Sequence, residues 1–177
     1  MTLKELLAEP RGRMVFGIDG NCCAGKSTAA RSFANINVVS IDHFYKPFDK
    51  RKEEIAGNID FARLIDEVLM PYLWGMDFSY DHYDPHVAKV VASYEVDSSL
   101  PLCIEGTYSL HPCISDYYDL KVFLSCSNEV QLKRLKQRQG GDIADFLTKW
   151  LPKEQDYFAH FAIEETADQR FNTDLWF

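Results

Sequence analysis

The chain has 177 residues, of which 46% are hydrophobic and 26% are charged, as in a globular protein long enough to form one domain with its own core. Its 19 basic and 27 acidic side chains give a formal net charge of −8. Nucleic acids and anionic membranes both require a basic surface, so we expect neither as a partner. A small-molecule ligand is expected instead, and the sequence leaves a homo-oligomer open.

The sequence shows no targeting or membrane-spanning segment. The first thirteen residues, MTLKELLAEPRGR, lack the apolar core of a signal peptide, and no apolar run approaches the roughly 18 residues of a transmembrane helix. The cysteines have neither the spacing of a zinc site nor a CxxC motif, and they are Cys22, Cys23, Cys103, Cys113 and Cys126. Free thiols suit a reducing compartment, so a cytoplasmic location is expected.

Short apolar runs alternate with amphipathic stretches along the chain, which predicts a mainly parallel sheet covered by helices. The predicted strands are residues 14–18, 38–41, 102–104 and 122–124, and Phe171 is placed at the end of a final strand. The predicted helices are residues 27–35, 61–74 and 128–138, with further helical sequence over residues 143–165.

Two regions interrupt this alternation. Residues 77–97 are rich in Tyr, His and Asp and are predicted to form either a β-hairpin or a loop with an irregular strand, inserted to bind polar rings. Gly140 and Gly141 follow the helix that ends near Arg138 and indicate a flexible joint. A short helical lid is therefore predicted over about residues 134–152. The whole of residues 1–177 is predicted to form a single domain.

The sequence GNCCAGKST between the first strand and the first helix matches G-x-x-x-x-G-K-[ST], the P-loop or Walker A motif. Its glycines let backbone N–H groups point at phosphate oxygens, Lys26 reaches the outer phosphates, and the Ser27 hydroxyl is placed to bind Mg²⁺. ATP and Mg²⁺ are the expected cofactors. The thiols of Cys22 and Cys23 admit a redox role, although small side chains that fit the loop are the simpler interpretation. The predicted nucleotide-binding residues are Gly20, Asn21, Cys22, Cys23, Ala24, Gly25, Lys26, Ser27 and Thr28.

Two acids follow predicted strands at the edge of the sheet where α/β proteins bind ligands. Asp42 follows the second strand and Glu105 follows the third. We predict Asp42 as the base that accepts the proton of an attacking hydroxyl and Glu105 as the acid beside Mg²⁺, with their roles exchangeable or shared. Ser27, Asp42 and Glu105 are the candidate metal ligands. Arg134 and Arg138 lie one helical turn apart and, with Lys26, are the candidate cations for the transferred phosphoryl group.

The segments GIDGNCCAGKST, SIDHFYKP, GNIDF, YDHYDPH and IEGTYSLHP, in that order, resemble the uridine kinase and phosphoribulokinase-like branch of P-loop kinases. The resemblance runs from about Met14 to Arg138. It implies an α/β fold of the P-loop NTPase type, a three-layer sandwich with a mainly parallel central sheet, an inserted substrate hairpin and a short helical lid. It also implies transfer of the γ-phosphoryl group of ATP to a hydroxyl of a small molecule, with a nucleoside as the favoured acceptor.

The resemblance assigns further roles. Asp42 matches the acid that activates the substrate hydroxyl, and Tyr45 completes that segment. Asp60 falls where the family contacts the ribose hydroxyls, and Tyr83 and His86 fall in the hairpin that holds the nucleobase. Glu105 matches the acid near the metal, and Arg134 and Arg138 resemble the arginines at the start of the lid.

The chain departs from the family pattern at the acceptor end. No His-Pro-Asp run follows Asp60, Pro85 replaces an aromatic residue, and glycines stand where several lid arginines are expected. Other acceptors therefore stay open: nicotinamide riboside, pantothenate or, last, a sugar phosphate. A nucleotide-binding regulatory module without turnover is the alternative from another class. A GTPase-type switch would need an N-K-x-D motif, which the sequence lacks.

Overall fold

The computed structural model of the chain describes residues 12–140 and 142–176, so the expectations for residues 1–11 and for Gly141 lie outside it. Its centre is a five-stranded sheet in the order β2-β5-β1-β6-β7, in which every neighbouring pair is parallel. The strands are β1 Val15–Gly20, β2 Asn37–Ser40, β5 Leu102–Glu105, β6 Leu120–Ser125 and β7 Gln169–Asn172. The predicted parallel sheet is confirmed.

Strand β1 extends two residues beyond its predicted end at Ile18. Asp19 and Gly20 remain paired with Phe123 and Leu124 of β6. Asp19 can stay in the sheet although it is fully buried, because its carboxylate accepts hydrogen bonds from Leu110 and Tyr157. All six residues of β1 are buried. A strand covered on both faces is the central strand of a sandwich.

Helices cover both faces of the sheet. They are α1 Lys26–Arg31, α2 (Phe61–Leu64, a π-helical stretch Ile65–Leu69, and Met70–Leu73), α3 Pro112–Ser115, α4 Asn128–Gln139, α5 Leu151–Phe161 and α6 Ile163–Thr166. A π-helical turn, Phe146–Trp150, leads into α5, and 3₁₀ turns occupy Ile41–His43 and Phe48–Lys50. In the described part of the chain, no helix is long and apolar enough to cross a membrane.

The core is split by the sheet into two layers. On one face, α1 packs its alanines Ala29 and Ala30 against Phe16 and Ile18 of β1. On the other face, side chains of α2, α5 and the hairpin surround the alternate strand residues, among them Ile104. Two apolar layers separated by a parallel sheet give the three-layer α/β sandwich that the sequence predicts.

Helix α1 is shorter than predicted, ending at Arg31 rather than near residue 35. Ser32 donates its hydroxyl to the carbonyl of Ala29 at 2.7 Å, and Asn35 takes a left-handed φ of +58°. Serine side chains that bond the preceding turn compete with helix continuation, so the chain leaves the helix there and turns toward β2.

Residues 77–97 form the hairpin alternative rather than the loop. Strands β3, Phe78–Asp84, and β4, Lys89–Val96, pair antiparallel in a separate two-stranded sheet, with a register shift between His82 and Tyr83. The buried ring of Tyr80 lies 5.4 Å from that of Phe44, centroid to centroid. The hairpin is thereby held beside the 3₁₀ turn that carries Asp42.

Candidate functional site

The P-loop residues make the tight turn that the motif predicts between β1 and α1. Gly20 has a φ of +135°, and a Cβ atom there would lie 1.9 Å from the carbonyl oxygen of Leu124, so only glycine fits. Gly25 takes φ +91° immediately before α1. The Lys26 ammonium is folded back over the loop and donates to the carbonyls of Gly20 at 2.5 Å and Asn21 at 2.9 Å.

One cleft of about 1060 Å³ extends from this loop to the hairpin. Twelve of the residues predicted for the site line it: Cys22, Cys23, Gly25, Lys26, Ser27, Thr28, Asp42, Tyr45, His86, Glu105, Arg134 and Arg138. Gly20, Asn21 and Ala24 form the turn that supports the lining residues of the loop. The sequence therefore identifies residues that the fold brings together from five separate segments.

Ser27 and Glu105 meet where the cleft borders the P-loop. The Ser27 hydroxyl donates to Oε2 of Glu105 at 2.9 Å. Burial raises the pKa of Glu105, the Ser27 hydrogen bond and the charge of Lys26 oppose that rise, and the nearby charge of Asp42 adds to it. A bound cation would remove the cost of burying this carboxylate.

The donor set suits Mg²⁺, which prefers hard oxygen ligands and usually keeps several waters. Among residues 12–140 and 142–176, no group of three or more His, Cys, Asp or Glu side chains could hold a metal ion. The residues present thus fit an ion bound by one or two protein oxygens, with nucleotide phosphates and water completing the shell, and not a metal enclosed by protein ligands.

Asp42 lines the same cleft and is exposed. Its Oδ1 accepts a hydrogen bond from the Tyr45 hydroxyl at 2.9 Å. Burial, followed by the charge of Asp42, raises the pKa of Tyr45, so this phenol stays protonated and remains a donor. The pair is an exposed carboxylate with a fixed orientation, which is what a proton acceptor for an incoming hydroxyl requires.

The two arginines of α4 have different partners. Arg134 donates to the carbonyl of Cys23 at 3.3 Å and to the hydroxyl and carbonyl of Thr173 at 3.1 and 2.7 Å. Arg138 lies 3.3 Å from the sulfur of Cys22, and its guanidinium is 5.3 Å from the ring centroid of Phe146. Arg134 therefore joins the P-loop to the segment after β7, whereas Arg138 faces the thiol of the loop.

Two of the residues predicted to contact an acceptor, Asp60 and Tyr83, are not among the described residues that line the cleft. Asp60 caps α2, accepting from the backbone N–H of Arg63 at 3.2 Å, and Tyr83 pairs with Val90 within the hairpin. His86 does line the cleft, with its ring in edge contact with Phe48 at 5.8 Å. Asn58 and Tyr108, which the sequence analysis did not single out, also line the cleft.

Glu154 of α5 is the main site residue that the sequence analysis missed. It is 5% exposed, and its two oxygens accept from the backbone N–H of Cys22 at 2.9 and 2.8 Å. Thr107 and Gln131 donate to the same carboxylate at 3.3 and 3.4 Å. Burial raises the pKa of Glu154, and the charge of Lys26 opposes the rise. A carboxylate of the protein itself thus binds an N–H of the phosphate-binding loop.

Asp19 is the second missed residue. Its carboxylate accepts from the N–H groups of Gly20 at 2.7 Å and Leu110 at 3.0 Å and from the Tyr157 hydroxyl at 2.8 Å. Burial raises its pKa to about 6, opposed first by the charge of Lys26. Tyr157 and Glu154 are one helical turn apart, so one face of α5 contacts both the end of β1 and the P-loop. An acid within the apolar run VFGIDG was a signal that could have identified Asp19.

No protein-family model matches the chain. Among solved structures, it is similar to a protein described as a possible uridine kinase from Bacillus stearothermophilus, with 20% identity, a TM-score of 0.71, and coverage of 96% of this chain and 94% of that one. It is also similar to a candidate fructose transport system kinase from Silicibacter sp. TM1040, with 21% identity, a TM-score of 0.60, and coverage of 97% and 99%. At these identities the likeness shows the fold alone, and that fold is the α/β sandwich with a mainly parallel central sheet that the sequence predicts.

Proposed function

We propose that the chain is a small-molecule kinase that transfers the γ-phosphoryl group of ATP to a hydroxyl, with Mg²⁺ as cofactor. One observation carries the proposal. The P-loop lysine Lys26, the Ser27–Glu105 pair and the Asp42–Tyr45 pair all line a single cleft of about 1060 Å³. A phosphate cradle, oxygen ligands for Mg²⁺ and a proton acceptor for the nucleophile are the parts that phosphoryl transfer needs.

At the phosphate end, the protein positions charge. Lys26 uses two of its ammonium protons on the carbonyls of Gly20 and Asn21, and the third remains for a phosphate oxygen. Ser27 and Glu105 would hold Mg²⁺, which when bound neutralises charge on the phosphates. Arg138, which also lines the cleft and lies 3.3 Å from the sulfur of Cys22, supplies a second cation. Such fixed charges stabilise the transferred group without reorganisation during the reaction.

Within the cleft, Asp42 accepts the proton of the acceptor hydroxyl. Tyr45 keeps the carboxylate oriented through its hydrogen bond to Oδ1. Because Asp42 is exposed, an acceptor can reach it without movement of the sheet. A base in this position contributes on the order of 10² to 10⁴ in rate.

A nucleoside is the acceptor we favour, in keeping with the similar fold of a possible uridine kinase. His86 and Tyr45 offer ring surfaces at the acceptor end, and Asn58 offers an amide. Asp60 and Tyr83 stay predictions as ribose and base contacts. Nicotinamide riboside, pantothenate and a sugar phosphate remain the other acceptors. We further propose one domain, with residues 77–97 as a substrate hairpin and about 134–152 as a lid.

A nucleotide-binding regulatory module is the second candidate, and Glu154 favours it. The Glu154 carboxylate accepts hydrogen bonds from the backbone N–H of Cys22 in the P-loop, which is expected of a loop held in a nucleotide-free state. Such a protein would bind ATP without passing the phosphoryl group to an acceptor. The Asp42–Tyr45 pair has no role in that scheme, which is why we prefer the kinase.

The experiment that tests the proposal measures ADP release from ATP and Mg²⁺ against nucleosides, vitamin alcohols and sugar phosphates. We expect stimulation by one acceptor class, loss of turnover in Lys26→Ala, and a phosphorylated acceptor in the mass spectrum. An unstimulated protein that still binds ATP would support the regulatory module. A protein that binds no nucleotide would contradict both candidates.

A further inference from the structure

We propose that Cys22 and Cys23 form a thiol switch within the P-loop: a peroxide joins them in a disulfide, and the disulfide lowers the affinity of the loop for nucleotide. The oxidation itself is independent of catalysis, whereas its regulatory meaning rests on the proposed nucleotide-dependent function. No role in phosphate binding requires the thiols, because the P-loop motif leaves both positions open to any residue.

The turn places the two sulfurs on the same side of the loop. Cys23 has a left-handed φ of +62°, and the two Sγ atoms are 3.8 Å apart. In an extended strand, successive side chains point to opposite faces, which would separate them. Both residues are half-buried and both line the cleft, so a small oxidant that enters the cleft reaches them.

The surroundings favour reaction at Cys22. The pKa of Cys22 is lowered to about 6, mainly by a hydrogen bond from the Cys23 thiol and also by the positive charge of Arg138. Burial and the negative charge of Glu154 partly oppose this decrease. The Arg138 guanidinium is 3.3 Å from Sγ. Thiolates, and not thiols, attack oxidants, and exposed thiolates beside a second cysteine have the arrangement of redox sensors.

The other cysteines lack this arrangement. Burial raises the pKa of Cys103, which lies in β5, and raises that of Cys126. Cys113 is exposed but lies in α3, away from the cleft lining. Oxidation should therefore be selective for Cys22 and Cys23, because of where these two cysteines lie. Cys113, an exposed thiol away from the cleft lining, is the matched control.

The reaction balances with a peroxide as the oxidant. The Cys22 thiolate attacks one oxygen of the peroxide and the O–O bond breaks. With hydrogen peroxide the leaving group is hydroxide, which becomes water when it takes up the proton that Cys22 gave up. The resulting sulfenic acid is attacked by the sulfur of Cys23, which loses its proton as the S–O bond breaks and a second water leaves. Two thiols are oxidised, and one peroxide is reduced to two waters.

The product would strain the loop and be readily reduced. Closing the bond brings the sulfurs from 3.8 Å to about 2.05 Å. Consecutive Cα atoms lie about 3.8 Å apart, below the usual separation in disulfides, so the ring is strained and more easily reduced. The peptide inside that ring is part of the nucleotide site.

This peptide and the one after it are both held by hydrogen bonds. The Cys22 carbonyl, which belongs to the peptide inside the ring, accepts from Gln131 at 3.1 Å, and the Cys23 carbonyl, which belongs to the following peptide, accepts from Arg134 at 3.3 Å. Rotating the peptide inside the ring breaks the contact with Gln131, displaces the following peptide from Arg134, and turns the N–H groups of the loop away from a bound phosphate. Nucleotide affinity falls for that reason, and bound nucleotide in turn protects the pair.

The test treats the full chain with hydrogen peroxide, with and without dithiothreitol, blocks free thiols with iodoacetamide, and measures peptide masses and the Kd of a fluorescent ATP analogue. We expect the peptide containing Cys22 and Cys23 to lose the mass of two hydrogens and to escape alkylation. The Kd should rise about tenfold or more and recover with dithiothreitol. Cys113→Ser should respond like the wild type, and Cys22→Ser and Cys23→Ser should show no loss of mass.

Other outcomes overturn the proposal. Sulfinic acid on Cys22, formed equally in wild type and in Cys23→Ser, would mean that the pair does not close. A disulfide that leaves the Kd unchanged would mean that closing it does not affect nucleotide binding. If the reduced protein bound no nucleotide, the proposed function would fail and so would the switch, whereas the peptide masses would still report whether the pair closes.

Discussion

Asp19 provides a quantitative prediction about stability and pH. It is fully buried between β1 and α5, and burial raises its pKa from 3.8 to about 6. An acid whose pKa is raised by folding binds its proton more tightly in the folded state. It therefore stabilises the fold at low pH, and this stabilisation is lost as the pH rises through the folded pKa. The change that isolates the effect is Asp19→Asn, which cannot titrate.

The size of the effect follows from the two pKa values. The rise of the pKa from 3.8 to about 6 corresponds to about 3 kcal/mol between full protonation and full ionisation. Between pH 7.5 and pH 5, only about 1 kcal/mol of this is realised, because unfolded Asp19 is still mostly ionised at pH 5. The free energy of unfolding of the wild type, minus that of Asp19→Asn, should therefore be larger at pH 5 than at pH 7.5 by about 1 kcal/mol.

Urea unfolding followed by tryptophan fluorescence at both pH values measures this difference directly. The comparison cancels the contributions of Glu105 and Glu154, whose pKa values are also raised by burial. Asp116→Asn removes the same charge from an exposed position and should show no such change. If the wild type and Asp19→Asn change in parallel with pH, the hydrogen bonds and the charge of Lys26 offset the burial of Asp19, its pKa is not raised, and the reasoning is refuted.

Three further predictions concern the cleft. Asp42→Asn should keep ATP binding and lose acceptor phosphorylation by about 10² or more, since the amide cannot take the proton; unchanged turnover would exclude Asp42 as the base. Glu154→Gln should bind ATP roughly fivefold more tightly in titration calorimetry, because a neutral amide competes less well than a carboxylate for the N–H of the P-loop. Weaker binding would show instead that Glu154 supports the site. Glu164→Gln, at an exposed position, is the control. His86→Ala should raise the KM for the acceptor more than the KM for ATP, because His86 lines the cleft beside the hairpin. Tyr83→Phe tests the second hairpin residue that is predicted to contact the acceptor in the same way. Equal effects on both KM values would argue against the proposed position of the acceptor.

The part of the cleft that the P-loop lines was predictable because the motif is local in sequence. The P-loop needs glycine at Gly20 and a cation at Lys26 within a few residues, and a strand before it and a helix after it. Asp42 and Glu105 could be placed because parallel strands bring their carboxyl ends to one edge of the sheet. The ends of the strands predicted at 14–18, 38–41, 102–104 and 122–124 were all correct to within two residues, and β6 extends beyond its predicted apolar run at both ends.

The missed contacts depend on packing between distant segments. Glu154 is 132 positions from Cys22, and nothing in the sequence of α5 indicates that its acid turns inward toward a backbone N–H. Asp60 was assigned from its place in a family pattern, but an aspartate immediately before a helix is also a favoured N-cap, and the fold uses it so. The acceptor end is therefore the part that sequence reasoning describes least completely.

The order of the strands has a consequence for synthesis of the protein. β1 carries the start of the P-loop, yet its partners begin at Leu102 and Leu120, so a growing chain holds this strand without a neighbour until β5 has been made and without its second neighbour until β6 has been made. Among the strands of the described residues that precede β5, the two strands of the hairpin are the ones that pair with each other. The anchor from Arg134 to the loop is completed by Thr173. A ribosome-bound chain shorter than this contains the whole P-loop motif but should not yet capture nucleotide.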